Sequence, residues 1–478
     1  MSENAVQLTP LGGGQEIGAN AYLLRWGGVS ILLDAGMHPS RDGYQALPLL
    51  DPLEEIDQLD AVLISHGHLD HVGSLPYIAR EYRPPAIFCT EPTVEVASRM
   101  LHNTVSVLSM LGHREYGNHR QFETHWSHEG VDALTEILRF HGQPFGEWFR
   151  VAGPVKACFF EAGHVLGAAG ILLTDGQFTL AYSGDINLAE QEIHRGARLP
   201  ELEKPVDALL LESTYGSDEE AERVSRRREI SRFAKKARKS LRQGGSVLVP
   251  AFALGRTQEM LALVQRLMEK GELPKVPIRI SGLGKAVNRI YDMFPHLLLP
   301  KKEGGFNHFD TGYRVLEIYP PGSPWEKRDR EFTRRRVTRL LEHPSIIIAT
   351  NGMMKEETPS AHFAEAMLGR RDDAILFVGY VAPDELGARV LAAEPKDEVD
   401  FGPDAPTVKV WCRTIERYRF SAHSHRGHLL EVAGHFAPRR TVLIHGEEAS
   451  LAWMKEHLVD RTRVDIADVG IPLDLHPR

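Results

Sequence analysis

Cysteine is scarce in this 478-residue chain, and the three present, Cys89, Cys158 and Cys412, lie far apart without a C-x-x-C pair. That excludes a disulfide framework and a cysteine-type zinc finger, and leaves them as small buried apolar residues. No uninterrupted apolar run approaches the ~18 residues of a membrane span. The opening Met1-Ser2-Glu3-Asn4-Ala5 lacks the basic-then-apolar pattern of a secretory leader, so a cytoplasmic protein with no membrane partner is expected. Low-complexity tracts and internal repeats are missing too. Positive charge is in deficit, and a net charge of -9 argues against indiscriminate binding of polyanions, although a local basic patch could still steer one. The glycines at Gly12-Gly13-Gly14 are not followed by Gly-Lys-Ser/Thr, which rules out a P-loop. What remains, 42% hydrophobic and 25% charged over this length, is a globular chain with room for two large domains.

Histidine, by contrast, is concentrated. Ser65-His66-Gly67-His68-Leu69-Asp70-His71 follows the apolar run Ala61-Val62-Leu63-Ile64, which reads as a buried strand ending in a loop. Imidazoles and a carboxylate at a strand's C-terminal end suit zinc or another first-row metal. A single tetrahedral ion would be crowded by ligands this close in sequence, so the spacing points to two adjacent ions. The alternative is a polar surface turn that happens to be rich in histidine.

The same theme recurs along the chain. Strands are expected at Leu8 onward, at Asn20 to Arg25 and at Val29 to Leu33, the last ending in Asp34, which suits a supporting hydrogen bond to a ligand better than ligation. A helix at Leu75 to Glu81 and a strand at Ala86 to Cys89 continue an α/β alternation. Residues 92 to 140 carry helical periodicity, and their His102, His113, His119, His125, His128 and, just beyond, His141 lack tight ligand spacing and read as ordinary surface histidines. A strand at Val155 to Glu161 leads to His164. A hairpin turned at Asp175-Gly176 follows, and its second strand, Phe178 to Tyr182, ends in Asp185. Another strand, Ala208 to Leu211, ends in Glu212-Ser213-Thr214-Tyr215-Gly216.

Composition then shifts. From Asp218 to Gln243 the chain is dense in Arg and Lys with apolar residues at helical intervals, which reads as a solvated amphipathic helix, a phosphate-steering face being the alternative. Strands at Val247 to Val249, Ile278 to Ile280, Ser345 to Ala349 and Ala374 to Val378, separated by helices and by an irregular stretch from 303 to 330, suggest a second α/β domain with a parallel sheet. The tail brings Phe420-Ser421-Ala422-His423-Ser424-His425, a helix at Gly427 to Gly434 and a strand at Thr441 to Ile444 ending in His445, as if returning to the first domain.

With these residues in order, the sequence resembles the metallo-β-lactamase fold, specifically the RNA-processing branch of its β-CASP nucleases, over nearly the whole chain. His66-Gly67-His68-Leu69-Asp70-His71 fits the HxHxDH motif; Asp34, His164 and Asp185 fit the flanking positions. Glu212, His423 and His445 fit the motifs that distinguish the β-CASP branch, and Pro250 to Glu259 looks like the start of its insertion. The resemblance implies a four-layer αββα sandwich from residues 1–217 and 406–478, an α/β β-CASP domain inserted at 218–405, and a cleft between them that holds two zinc ions. It implies one zinc on His66, His68 and His164, the other on Asp70, His71 and His445, with Asp185 touching both. It implies a zinc-dependent ribonuclease that hydrolyses phosphodiester bonds through a metal-bridging hydroxide, with Asp70 counted among the catalytic residues and with His423 as general acid oriented by Glu212. DNA-acting members generally lack the last histidine, so His445 favours RNA. Relatives often form homodimers or join processing complexes.

Some loops depart from the family pattern. Lys355-Glu356-Glu357-Thr358-Pro359 follows Gly352-Met353-Met354 where a glycine-rich turn is common, and Ala382-Pro383-Asp384-Glu385-Leu386-Gly387-Ala388-Arg389 stands for a Gly-Thr-Leu-Gly-Arg pattern. Carboxylates there are expected to repel phosphates. His425 stands where many relatives carry aspartate. Two other readings stay open on these grounds: a dinuclear hydrolase for DNA or a small phosphoester, and a catalytically quiet RNA-binding or scaffold subunit.

Overall fold

The computed structural model describes residues 5–112, 125–301, 308–319, 330–402 and 405–476. They form two compact units, one of residues 1–190, 194–222 and 423–478, the other of residues 191–193 and 223–422. Of the histidines read as ordinary, His113 and His119 lie outside the described residues.

The first unit is built on two sheets of seven strands. In chain order its first strands are β1 (Val6–Gly12), β2 (Ala21–Trp26), β3 (Val29–Leu33), β4 (Ala61–Leu63), β5 (Ile87–Thr90), β6 (Gly142–Gln143), β7 (Trp148–Ala152), β8 (Val155–Glu161), β9 (Ala169–Thr174), β10 (Thr179–Tyr182) and β11 (Ala208–Glu212). One sheet runs Leu473–Asp474, β1, β2, β3, β4, β5, β6; the other runs Arg463–Ile466, Arg440–Ile444, β11, β10, β9, β8, β7. Pleating sends alternate residues to opposite faces. On β2, Tyr22, Leu24 and Trp26 enter the core between the sheets, where they join Phe159, Ile171, Leu180 and Tyr182. Ala21 and Leu23 turn the other way, into a core shared with Leu75, Ile78, Leu101, Val131 and Leu134 of the covering helices. Both faces of these strands are buried, which is why they read as continuous apolar runs instead of alternating ones. Helices Arg426–Phe436 and Glu448–Leu458 pack on the second sheet, against β11 and Arg440–Ile444. The layers are therefore helix, sheet, sheet, helix.

The second unit has a six-stranded parallel sheet in the order Arg314–Val315, Ile278–Ile280, Ile346–Ala349, Val247–Pro250, Ala374–Phe377, Thr414–Arg417. Val247 and Val249 face a core with Phe233, Leu263 and Leu267. Leu248 faces the opposite core, with Val337, Phe363 and Val390. Within this unit the acidic loops are not bare. Lys355 lies 3.3 Å from Glu385, Arg389 2.8 Å from Glu356, and Arg330 2.9 Å from Glu357. Three of the carboxylates expected to repel phosphates, Glu356, Glu357 and Glu385, thus meet cations of their own chain from a neighbouring loop or helix, while Asp384 is exposed.

The turn between β9 and β10 shows how one side chain can fix a hairpin. Asp175 Oδ1 accepts from the N–H groups of Gln177 and Phe178 at 2.8 and 2.9 Å, and Oδ2 accepts from the Trp26 indole N–H at 2.9 Å, tying this hairpin to the other sheet. Partial burial works against the charge, but these donors outweigh it and hold the carboxyl below its ordinary pKa. Asp175→Ala should therefore cost about 1–3 kcal/mol of stability at neutral pH by leaving those donors unpaired. Because the folded-state pKa is depressed, the carboxylate's contribution is full above the unfolded value near ~3.9 and fades as pH falls through the folded one. Denaturant titrations of wild type and variant should converge in acid; a gap that stays constant down to pH ~2 would contradict this.

Candidate metal centre

The centre lies in the first unit and begins at the end of β3. Asp34 has a left-handed φ of 57°, a conformation aspartate tolerates better than most side chains, and it is fully buried. Its Oδ1 accepts from Ser65 N–H at 2.7 Å. Its Oδ2 lies 2.7 Å from Ser65 Oγ, 2.7 Å from His71 Nδ1 and 2.5 Å from Tyr182 Oη, all of them donors to it. Such a cradle explains how a buried carboxylate is tolerated, and it commits the His71 proton to Nδ1. The His71 Nε2 faces the centre, where Asn20 Nδ2 lies 3.0 Å away and Asp185 Oδ1 3.3 Å away.

The loop after β4 then delivers its histidines. His66 Nδ1 lies 3.1 Å from Ser65 Oγ, so its Nε2 faces inward and comes 3.0 Å from His68 Nδ1. His164, from the loop between β8 and β9, brings Nε2 to 3.1 Å from the same His68 nitrogen. Asp70 and His71 sit on the short helix Leu69–Val72. Glycine is required where the chain passes behind them: a Cβ on Gly36 would come within 1.7 Å of Asp70 O. His445, at the end of strand Arg440–Ile444, also has a left-handed φ, 48°, and its N–H donates to Gly13 O at 2.7 Å. That bond gives the glycine-rich turn after β1 its use, as a support behind a histidine.

Asp185, two residues beyond Ser183 and buried, stands between these side chains. Its Oδ2 lies 3.6 Å from His66 Nε2 and 3.5 Å from His164 Nε2. Its Oδ1 lies 3.3 Å from His71 Nε2 and 3.5 Å from His445 Nε2, with Asp70 Oδ2 at 3.8 and 4.0 Å from those same nitrogens. The donors thus fall into a set of His66, His68, His164 and Asp185 and a set of Asp70, His71 and His445, each compact enough to hold an ion. A cation fits them. Nitrogens of His66 and His164 converge on one nitrogen of His68 at 3.0 and 3.1 Å, and buried Asp185 Oδ1 makes no regular hydrogen bond.

Beside the ligand sets, Glu212 closes β11. It is fully buried; Oε1 accepts from Ile186 N–H at 2.9 Å and Oε2 from Thr214 Oγ1 at 2.6 Å. His423 Nδ1 lies 3.1 and 3.2 Å from the two carboxylate oxygens, which turns its Nε2 toward Asp185, 3.9 Å away. Burial lowers this imidazole's proton affinity, but the charge of Glu212, with Asp185 behind it, prevails and pushes the pKa up to about 9. His423 is also partly exposed, so its proton can reach an incoming group.

All the residues singled out from the sequence as ligands or proton donors therefore lie together in one unit, with Asp34 beneath them. His102, His125 and His141 are elsewhere; His102 contacts His128 and Asp132, and His125 contacts Glu81. Sequence reasoning passed over Ser65, Tyr182 and Thr214. Their only signal is adjacency to a motif: Ser65 precedes the first histidine, Tyr182 ends the strand before Asp185, and Thr214 follows Glu212.

A buried array of imidazoles and carboxylates at strand ends of an αββα sandwich defines a metal-dependent hydrolase. Comparison with known proteins agrees. Residues 14–231 match the model of the metallo-beta-lactamase superfamily, 257–390 that of the Beta-Casp domain, and 407–467 that of a Zn-dependent metallo-hydrolase RNA specificity domain. Among curated relatives, the transcription termination factor FttA of Cenarchaeum symbiosum is 30% identical over 93% of this chain and 67% of its own length. Cleavage and polyadenylation specificity factor 73 of Drosophila melanogaster is 28% identical over 94% of this chain and 61% of its own. Integrator complex subunit 11 of Gallus gallus is 28% identical over 96% and 72%. A solved structure of a protein of unknown function from Enterococcus faecalis shares the fold at a TM-score of 0.56 and 12% identity, covering 98% of this chain and all of that one. The chain belongs to the β-CASP family of the metallo-β-lactamase superfamily.

The geometry yields two measurable expectations. Asp34→Asn should weaken metal affinity about 10–100-fold, read by competition with a chelator, because His71 loses the acceptor that fixes its tautomer. Unchanged affinity would show that Asp34 is not the orienting group. In the metal-free protein, an NMR titration of the His423 ring should have its midpoint at about 9. Glu212→Gln should bring it down toward the ordinary ~6.5, and a midpoint that stays high would place the cause elsewhere.

Proposed function

We propose that this chain is a ribonuclease that holds two zinc ions and hydrolyses RNA phosphodiester bonds. The observation that carries the reading is the division of Asp185, one oxygen toward His66 and His164 and the other toward His71 and His445. His66, His68 and His164 would hold one ion, Asp70, His71 and His445 the other, and Asp185 both. Bound there, zinc supplies Lewis acidity at the phosphoryl group and lowers the pKa of water so that it can act as nucleophile near neutral pH. The remaining work belongs to the chain. Asp34, Ser65 and Gly13 hold the histidines in place. His423 gives the proton on Nε2 to the oxygen that leaves phosphorus, and Glu212 keeps that imidazole protonated and turned toward the centre.

RNA as substrate is supported by the RNA specificity domain matched at residues 407–467 and by the names of the relatives, a termination factor and a cleavage and polyadenylation factor. The Integrator subunit supports membership of a processing complex, with a homodimer as the other assembly considered. No described helix is long and apolar enough to cross a membrane. The compartment we propose is the cytoplasm.

Metal analysis paired with cleavage of end-labelled RNA, single-stranded DNA and a small phosphodiester tests the reading. The chain should carry two zinc ions and cut RNA in preference to DNA. Asp70→Asn or His71→Ala should lower the zinc content and reduce RNA cleavage at least a thousandfold. Full activity with unchanged zinc in either variant would overturn the assignment, and tight RNA binding without turnover by the zinc-loaded protein would replace it with a scaffold role.

A further inference from the structure

The helix Arg226–Arg242 of the second unit has a charge imbalance that the metal centre does not explain. It carries nine Lys and Arg against Glu229 alone, within a chain whose net charge is -9. Its apolar face is spent on the unit's own core, through Phe233, Ala234, Ala237 and Leu241. Some of its cations have structural partners. Arg226 lies 2.9 Å from Glu259, Arg232 2.5 Å from Glu229, and Lys236 is bonded to Glu416. Arg226 and Arg232 also cover the rings of Phe420 and Tyr418.

The others do not. Among the described residues, no carboxylate pairs with Arg227, Arg228, Lys235, Arg238, Lys239 or Arg242, and all but the half-buried Arg238 are exposed. At 100° per residue, Arg228, Lys235, Lys239 and Arg242 fall along one stripe that runs about 21 Å down the helix. Like charges three and four residues apart repel, which offsets what Lys239 and Arg242 gain beside the helix C-terminus, so the stripe brings the helix little net stability. A face kept only for solubility would interleave both signs.

We propose that this stripe is a binding track for the phosphate backbone of single-stranded RNA, outside the metal centre; the identity of the polyanion rests on the ribonuclease reading. The stripe has cations and no exposed large apolar side chain, which suits phosphates and not a membrane surface, where a helix must also bury apolar area. It has no aromatic residue on its exposed face for a base to stack on, so binding there is independent of sequence and steeply dependent on salt.

The test is RNA binding by the zinc-loaded chain, with His423→Ala in the background to suppress cleavage. Adding Lys235→Gln, Lys239→Gln and Arg242→Gln should weaken binding of a labelled 20-nucleotide RNA at least tenfold at 0.1 M salt. The slope of log Kd against log salt should fall by about 2, at ~0.7 for each phosphate no longer neutralised. Exposed Lys270, Lys275 and Lys301 of the same unit, changed together to Gln, alter net charge equally and should leave both quantities within twofold. The stripe triple, with His423 intact, should hydrolyse bis(p-nitrophenyl) phosphate at the wild-type rate, and its melting temperature should stay close to that of the wild type, since lost repulsion and lost helix-end stabilisation oppose each other. Equal effects from the two triples, or none from the stripe triple, would overturn the proposal. If the stripe behaves as expected but the wild-type chain cuts no RNA, the ribonuclease reading fails alone. If RNA is cut and the stripe triple binds it normally, the track fails alone.

Discussion

Burying carboxylates among imidazoles is the constraint on which this molecule turns. Asp34 and Asp185 both lie almost wholly out of water, and neither could remain charged there without dense compensation. Asp34 is satisfied by protein donors, Ser65, His71 and Tyr182. Asp185 is not: its oxygens face ring nitrogens at 3.3–3.6 Å that lie beyond good hydrogen-bond distance and want a cation between. Similar chemistry thus produces opposite outcomes. One carboxylate is a finished structural device, and the other is the one we propose for the metal site.

The two sheets exist, in functional terms, to bring distant segments to that point. β3, β4, β10 and β11 and the strand Arg440–Ile444 each end in a side chain of the site: Asp34, the histidine loop, Asp185, Glu212 and His445. Strands buried on both faces can hold such ends in a fixed register because a slip would displace every core residue as well. The long separation in sequence between Glu212 and His423 costs nothing once the return segment is locked onto β11 by the parallel pairing of Ala208–Glu212 with Arg440–Ile444.

Much of this was legible in the sequence, for a physical reason. Ligand-type residues placed just after apolar runs are visible because strand ends punctuate the chain, and the HxHxDH spacing leaves few other uses for so many histidines. Asp34 could be assigned a supporting role because metal-bound imidazoles need a partner for the second nitrogen. The supports contributed by hydroxyls were not legible, since Ser65, Tyr182 and Thr214 look like any residues flanking a turn. Nor was the pairing of the acidic loops. Glu356 and Glu357 stand as bare charges in the sequence, and only the fold brings Arg389 and Arg330 to them. The basic helix was visible as composition, while the distinction between its partnered and unpartnered cations required the structure.

The central claim is that Asp185 stands between two ions. Crystals of the zinc-loaded protein, measured on either side of the zinc absorption edge, test it most directly. The account predicts two anomalous peaks about 3.5–4 Å apart, one bounded by His66, His68 and His164 and the other by Asp70, His71 and His445, with the Asp185 carboxylate reaching both. A single peak, or peaks away from Asp185, would contradict it.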